Sequence, residues 1–417
     1  MASVLLDGFL NIFNRHHDLI AITNTPSNPF KRMLDYLYIL LIRERTMKKK
    51  LMTSILIASL LMTGASNPIV YGQEESSSEA ESSQELSTES ADADTASLVD
   101  FPEEHSGHFL QEFDLSHHEA KDKVRLWIPY AESNDYQEIS NVKIEVSDES
   151  VEYEVTEDEL GNKMIYVEWP ADKKDRKLTY SFDVTRKRVD KPEFKEEEAT
   201  DKDEFAQYLT GSKLVPIGDE MKELSDEISQ EDASVEDKVR AIYKWIFDNM
   251  VRNEDVVGCG TGDALDSIAS LDGKCTDIHS VFIGLARAQG IPSREVFGVR
   301  MKDEDGDVTG SQHCWAEYYQ PGTGWVAIDV ADVLKMVLNK ELDKSSPEAQ
   351  TYYDYYYGNL DPLRVAFSTG RDLTLNPEQE AGPVGQFGYP YAEVDGQALD
   401  CYQAEDFGYH FDYQLAE

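Results

Sequence analysis

Three residues in this 417-residue chain combine type, order and local setting in a way that could do nucleophilic chemistry: Cys275, His313 and Asp329. Cys275 follows Gly273-Lys274 and opens a stretch in which Ile278, Phe282, Leu285 and Gln289 share one helical face, until Gly290-Ile291-Pro292 ends the pattern. The spacing therefore predicts a thiol at a helix N-terminus. There the positive end of the dipole and the free backbone N–H groups favour thiolate over thiol. The same N–H groups can stabilise an oxyanion. His313 lies near the start of the strand-like run Gln312–Tyr318, and Asp329 ends the run Trp325–Asp329. In antiparallel neighbours the start of one strand lies beside the end of the next, which would put the carboxylate against the imidazole. With the helix packed on that sheet, its N-terminus at the same edge, the three residues become nucleophile, base and orienting carboxylate.

The elements that must position them are short and local. Residues 295–300, 312–318 and 325–329 read as three strands joined by short loops, so an antiparallel meander is the economical pairing. Asp303-Glu304-Asp305-Gly306-Asp307 between the first two carries a hairpin signal in its Asp-Gly pair. Upstream, Ser234 with Asp237 three residues later reads as an N-cap, followed by Val235, Val239, Ile242 and Ile246 at helical spacing.

These blocks resemble the core of the transglutaminase-like superfamily. The resemblance lies in Gly273-x-Cys275-x-Asp277, then Leu285-Ala286-Arg287-x-x-Gly290-Ile291-Pro292-x-Arg294, then His313-x-Trp315-x-Glu317, then Gly324-Trp325-x-x-x-Asp329. It covers roughly residues 230–335. Tyr389-Pro390-Tyr391-Ala392-Glu393-Val394-Asp395-Gly396 is also similar to the tail of secreted bacterial members. The resemblance implies an α+β, papain-like fold. It also implies Cys275 as nucleophile, His313 as general base and acid, and Asp329 as the orienting carboxylate. Members attack amide or peptide bonds through a thioester, which an amine or water then resolves. Where members often have Pro after the Asp, this chain has Val330.

Other residues have structural readings that compete with functional ones. Asp277 could assist catalysis, but an acid in a first helical turn stabilises the dipole in any case. Trp315 and Glu317 share a strand face with His313, which puts Trp315 beside the site as packing. Papain-like proteases carry a Gln six positions before the Cys, and here that position is Ala269. Trp245 or Asn249 on the preceding helix are the substitutes for an oxyanion donor, with core packing and C-terminal capping as alternative roles. Zinc is a rival use of Cys259, Cys275, His279, His313 and Cys314. The adjacent pair His313 and Cys314 points to opposite strand faces and serves a tetrahedral site poorly. No cofactor is expected, calcium at the acidic 303–307 loop being the weaker alternative because its Gly is misplaced for an EF-hand. The cluster Tyr352, Tyr353, Tyr355, Tyr356 and Tyr357 reads as core packing ahead of a ligand platform.

The rest of the chain sets the context. A net charge of −42 with 41% hydrophobic residues excludes both a nucleic-acid binder and a wholly disordered acidic chain. Residues 1–46 read as a mis-assigned start or a short extension. Residues 47–72 read as a signal peptide: Met47, three lysines, then an apolar run from Leu51 to Met62. Residues 73–100 hold nine acids and no Lys or Arg, a solvated linker. Residues 101–190 alternate as several short strands and predict a small antiparallel β-sandwich. His105, His108, His117 and His118 precede its first firm strand, and solvated histidines are the plainer reading than a metal site. Residues 191–233 read as a charged, irregular connection, 234–395 as the catalytic domain and 396–417 as a tail. The expected protein is an exported thiol enzyme acting on protein or peptide amides, with the cell envelope as a candidate source of substrate. It has no nucleic-acid partner and meets membrane only through the export signal. The alternative is a non-catalytic envelope-binding module that keeps the fold.

Overall fold

A computed structural model describes residues 97–195 and 203–416. The readings of residues 1–46 and 47–72, and nearly all of the linker, lie outside the described residues. Among the described residues no helix is long and apolar enough to cross a membrane.

The first half is strand. β1 (Glu104–Asp114), β2 (Lys123–Pro129), β3 (Gln137–Val146), β4 (Tyr153–Glu157), β5 (Lys163–Pro170) and β6 (Lys177–Lys187) form two antiparallel sheets. One runs β1-β6-β3 and the other β2-β5-β4. Alternation builds the core between them. Phe109, Phe113, Leu126, Ile165, Trp169, Tyr180 and Phe182 are buried between the sheets, and on the second sheet the opposite face is covered too, Trp127 and Met164 being fully buried.

The second half is helix followed by sheet. α1 (Asp219–Ile228), α2 (Val235–Asn249), α3 (Ala264–Ser270) and α4 (Cys275–Ala288) precede β7 (Ser293–Arg300), β8 (Gln312–Gln320) and β9 (Gly324–Ile328). α5 (Val330–Asn339), α6 (Pro347–Tyr355), β10 (Arg364–Thr369), β11 (Tyr391–Val394) and β12 (Tyr409–Leu415) complete the chain. The antiparallel catalytic sheet has the order β9-β8-β7-β10, so the expected three-strand meander gains a fourth strand. α4 is buried along nearly its whole length, between this sheet and α1, α2 and α3. This is the papain-like α+β arrangement of a helix packed on an antiparallel sheet, preceded by a region of paired sheets.

Several expectations change here. β1 lies before the strands read from sequence and pairs along its full length with β6. Only Phe109 and Phe113 mark its buried face as apolar, so its alternation is weak. Its histidines do not converge: His108 bonds Asp183 at 2.6 Å, His105 the carbonyl of Lys302, and His117 and His118 the carbonyls of Asp406 and Phe407. Residues 396–417 are no tail, because β12 pairs with β1 from Gly107↔Leu415 to Phe113↔Tyr409. β11 likewise joins β2, so the end of the chain contributes a strand to each first-half sheet. The connection 191–233 contains α1, whose Ser225 hydroxyl donates to the carbonyl of Leu285 in α4. The acidic 303–307 loop serves the sheet edge: Gly306–Asp307 pairs with β12, and Asp305 accepts from the backbone of Leu415. The tyrosine cluster packs inward, Tyr352, Tyr356 and Tyr357 being buried and Tyr353 resting on Tyr243 and Phe247.

The motif 389–396 acquires a physical account. The ring of Tyr391 lies 5.5 Å from that of Trp127. Buried Glu393 pairs with Arg125, and Asp395 accepts backbone N–H groups from Lys121, Asp122 and Lys123. These contacts fasten β11 to β2.

Candidate functional site

Cys275 is the first residue of α4 and is only 3% exposed. Its position is set by Asp277, whose Oδ2 accepts the Lys274 N–H at 3.0 Å and whose Oδ1 accepts the Gly262 N–H at 2.8 Å. The Thr276 N–H donates to the carbonyl of Cys259 at 3.0 Å, closing the preceding loop onto the helix start. Gly260 is required there: its φ is +92°, and a Cβ would lie 1.9 Å from the Asp277 carboxylate. Asp277 therefore fastens the residue before the thiol and the Gly262 loop to the first turn of α4.

His313 is the second residue of β8, and Asp329 follows directly on β9 as the N-cap of α5, with Val330 at the first helical position that suits Pro. The β8–β9 register, Ala316↔Ile328, brings the two together. His313 Nε2 and Asp329 Oδ2 are 2.7 Å apart, both residues buried. Asp329 Oδ1 accepts the Asp332 N–H at 3.0 Å. Arg364 of β10 donates to Asp329 Oδ2 at 2.7 Å and to Asp332 at 3.1 Å, and also pairs with Asp361. Arg300 pairs with Asp332. Three buried carboxylates thus face two guanidinium groups, and a protonated His313 supplies the third positive charge.

The titration of each group follows from these contacts. The neighbouring thiols of Cys259 and Cys314, then His313, hold the Cys275 thiol well below its usual value, against burial. Burial and Arg300 press His313 downward, but Asp329 and Asp332 outweigh them and raise it. Burial works against ionised Asp329 too, yet His313, His279 and Arg364 keep it well below the carboxylate range. Both directions favour a thiolate beside an imidazolium.

A second histidine, which the sequence offered only as a rival zinc ligand, also reaches this site. His279 is fully buried on α4, its Nε2 3.4 Å from Asp329 Oδ1 and its Nδ1 3.6 Å from Cys314 Sγ. Arg364 was missed. It carried no signal beyond a charge within an apolar stretch, and His279 none beyond its place four residues after Cys275 on the same helix. Trp315 packs below the carboxylates with its ring 5.5 Å from the Arg364 guanidinium. The candidates on α2 are placed differently: the Asn249 amide donates to the Trp245 carbonyl as a C-terminal cap. Among the described residues neither Trp245 nor Asn249 bonds to Cys275, His313 or Asp329. Tyr389 does reach the site's edge, donating to Cys259 Sγ at 3.2 Å.

All four cysteines are free thiols. The cluster His313, Asp329 and Asp332 has metal-ligand spacing, but its oxygens are engaged by Arg300 and Arg364. Two guanidinium groups in contact with the donor set do not suit a cation.

A buried thiol at a helix start, an imidazole and a carboxylate make up the residue set of a papain-like thiol centre, and the family that matches the sequence is a thiol-enzyme class. The sequence pattern described as "Transglutaminase-like superfamily" matches residues 222–330. An uncharacterised protein of Haemophilus influenzae is 32% identical over 336 residues, covering 74% of this chain and 90% of that protein. This chain belongs to the transglutaminase-like superfamily, a family of thiol enzymes. Among solved structures, a candidate cysteine protease from Cytophaga hutchinsonii aligns with a TM-score of 0.45 and 18% identity, over 75% of this chain and 99% of that one. The periplasmic domain of TgpA from Pseudomonas aeruginosa aligns with a TM-score of 0.29 and 13% identity, over 60% of this chain and 93% of that one.

Proposed function

We propose that this protein is a thiol acyl-transfer enzyme acting on amide bonds of proteins or peptides outside the cytoplasm. The observation that carries this is the convergence of Cys275, at the N-terminus of α4, with His313 held at 2.7 Å by Asp329. Cys275 Sγ attacks the amide carbonyl, and the carbonyl electrons move onto oxygen at the positive end of α4. As the C–N bond breaks, His313 gives its proton to the leaving amine, leaving a thioester on Cys275. Water or a second amine, deprotonated by neutral His313, attacks the thioester and frees the thiol. Asp329 keeps the ring oriented and supports its protonated form. No step calls on a cofactor. The export reading of residues 47–72 supports the location, and envelope protein or peptide is the substrate source it favours.

The test incubates purified protein with a thiol-reactive glutamine peptide and, separately, with a glutamine peptide plus a dansyl-labelled amine. Labelling of wild type and none of Cys275→Ala is expected. Labelling that survives the substitution overturns the nucleophile assignment. Dansyl incorporation identifies a transferase, and ammonia or peptide fragments without incorporation identify a hydrolase.

A further inference from the structure

A cavity of about 590 Å³ lies between the catalytic sheet and the first-half sheets. It is on the face of β8 away from α4: Cys314 points to the helix, whereas Trp315 and Glu317 line the cavity. Tyr136, Arg186, Trp325 and Phe367 complete its aromatic and charged lining.

Arg186 of β6 sets this cavity apart. Its residue is only 2% exposed, and its guanidinium lies over the rings of Tyr136 and Trp315 at 5.6 and 5.9 Å. Among the described residues nothing accepts a hydrogen bond from it and no carboxylate lies within ion-pair distance, Glu317 and Asp361 acting on its charge only from farther away; its Nε is buried without a partner. Two of the acids nearby are engaged elsewhere, Glu317 by Arg294 at 2.7 Å and Glu132 by Lys163, while Asp135 lines the cavity without an ion pair to Arg186. Burial and the charge of Arg364 bring Arg186 down to about 10, so it remains a cation at neutral pH. A buried cation without a partner is unfavourable unless something supplies the missing charge. A guanidinium with aromatic rings beside it presents its N–H edge, the geometry that a planar carboxylate fills with two parallel bonds.

We infer that this cavity is a binding site for a carboxylate-bearing peptide, with the carboxylate on Arg186 and the adjoining residue against Tyr136 and Trp325. The lining favours a monoanion over phosphate. It already holds Glu132, Asp135 and Glu317, so a second ligand charge would meet repulsion with no cation left to balance it. The volume suits one or two residues. Occupancy would also be felt at the thiol centre, because Trp315 touches both Arg186 and Arg364, and Arg364 holds Asp329.

Titration calorimetry on the purified full chain tests this without turnover. The probes are acetyl-Ala-Phe with a free C-terminus, the same dipeptide as its amide, acetyl-Glu amide, and inorganic phosphate. Binding of the free acid and none of the amide is expected, with Arg186→Met weakening it by about tenfold or more. Binding of acetyl-Glu amide in preference to the dipeptide assigns the carboxylate to a side chain and supports the site. Equal binding of acid and amide, tighter binding of phosphate than of either carboxylate, or unchanged affinity in Arg186→Met overturns it. Iodoacetamide labelling of Cys275 reports that the variant is folded. Should Arg186→Met fail to fold, Tyr136→Ala at the 43% exposed mouth serves instead, and there an unchanged affinity overturns the proposal.

Discussion

Arg364 and Arg186 both lie against the ring of Trp315, at 5.5 and 5.9 Å, and both are buried. Arg364 meets three carboxylates, one of which holds His313. Arg186 meets none among the described residues. The same side chain in the same aromatic surroundings is thus a completed structural cation on one side and an open one on the other. Burial alone does not identify a functional charge. What distinguishes the two is whether the protein itself supplies the partner.

Substitution can break that contrast. Arg364→Met would leave Asp329, Asp332 and Asp361 with one guanidinium among them. A loss of about 3–5 kcal/mol in unfolding free energy, read by denaturant titration, is expected. Arg186→Met should move the other way in the unliganded protein, raising stability by about 1 kcal/mol, because it removes an unpaired buried charge. Effects of opposite sign are the signature sought; two losses of similar size would mean that Arg186 has a partner in the free protein.

pH dependence sharpens the paired side. Cys275 is held low, so wild-type alkylation by iodoacetamide should persist to pH values well below the ordinary thiol range and fall only as the folded-state Cys275 protonates. In His313→Ala the midpoint should move upward, since one source of the lowering is gone. The raised His313 stabilises the fold with its full effect below about 6.5, its unfolded value, and loses it as pH rises through the higher folded value. The contribution of His313 to the unfolding free energy should therefore decline as pH rises above about 6.5, and His313→Gln should remove that part of the pH dependence. Asp329 has the opposite sign: its contribution is present above about 3.8 and is lost only as pH falls through its depressed value.

The smallest effect expected is on the open side. Glu317→Gln removes one carboxylate from the cavity lining and should tighten the carboxylate peptide by about twofold in calorimetry, at roughly the energy of a screened charge pair.

Much of the site was legible because its signals are local. A helical period and a Gly-Ile-Pro stop place Cys275 at a helix start, and two alternating strands place His313 against Asp329. The less legible parts depend on partners far away in the chain. β1 has a weak pattern of its own and is defined by β6 and β12 on its two sides. β12 looked like a tail because its partner lies some 300 residues earlier. His279 and Arg364 looked like any charged residue in an apolar run until β9, β10 and α4 brought them to Asp329.

Sequence by itself determined the family, the helix that carries the thiol and the order of nucleophile, base and carboxylate, because each rests on neighbours a few positions apart. The tertiary structure alone decided which charges are answered and which are not. That depends on distances between strands distant in the chain: Arg364 comes to rest on Asp329, Asp332 and Asp361, and Arg186 comes to rest at the wall of a cavity. A residue's type states its charge, and only packing states what stands opposite.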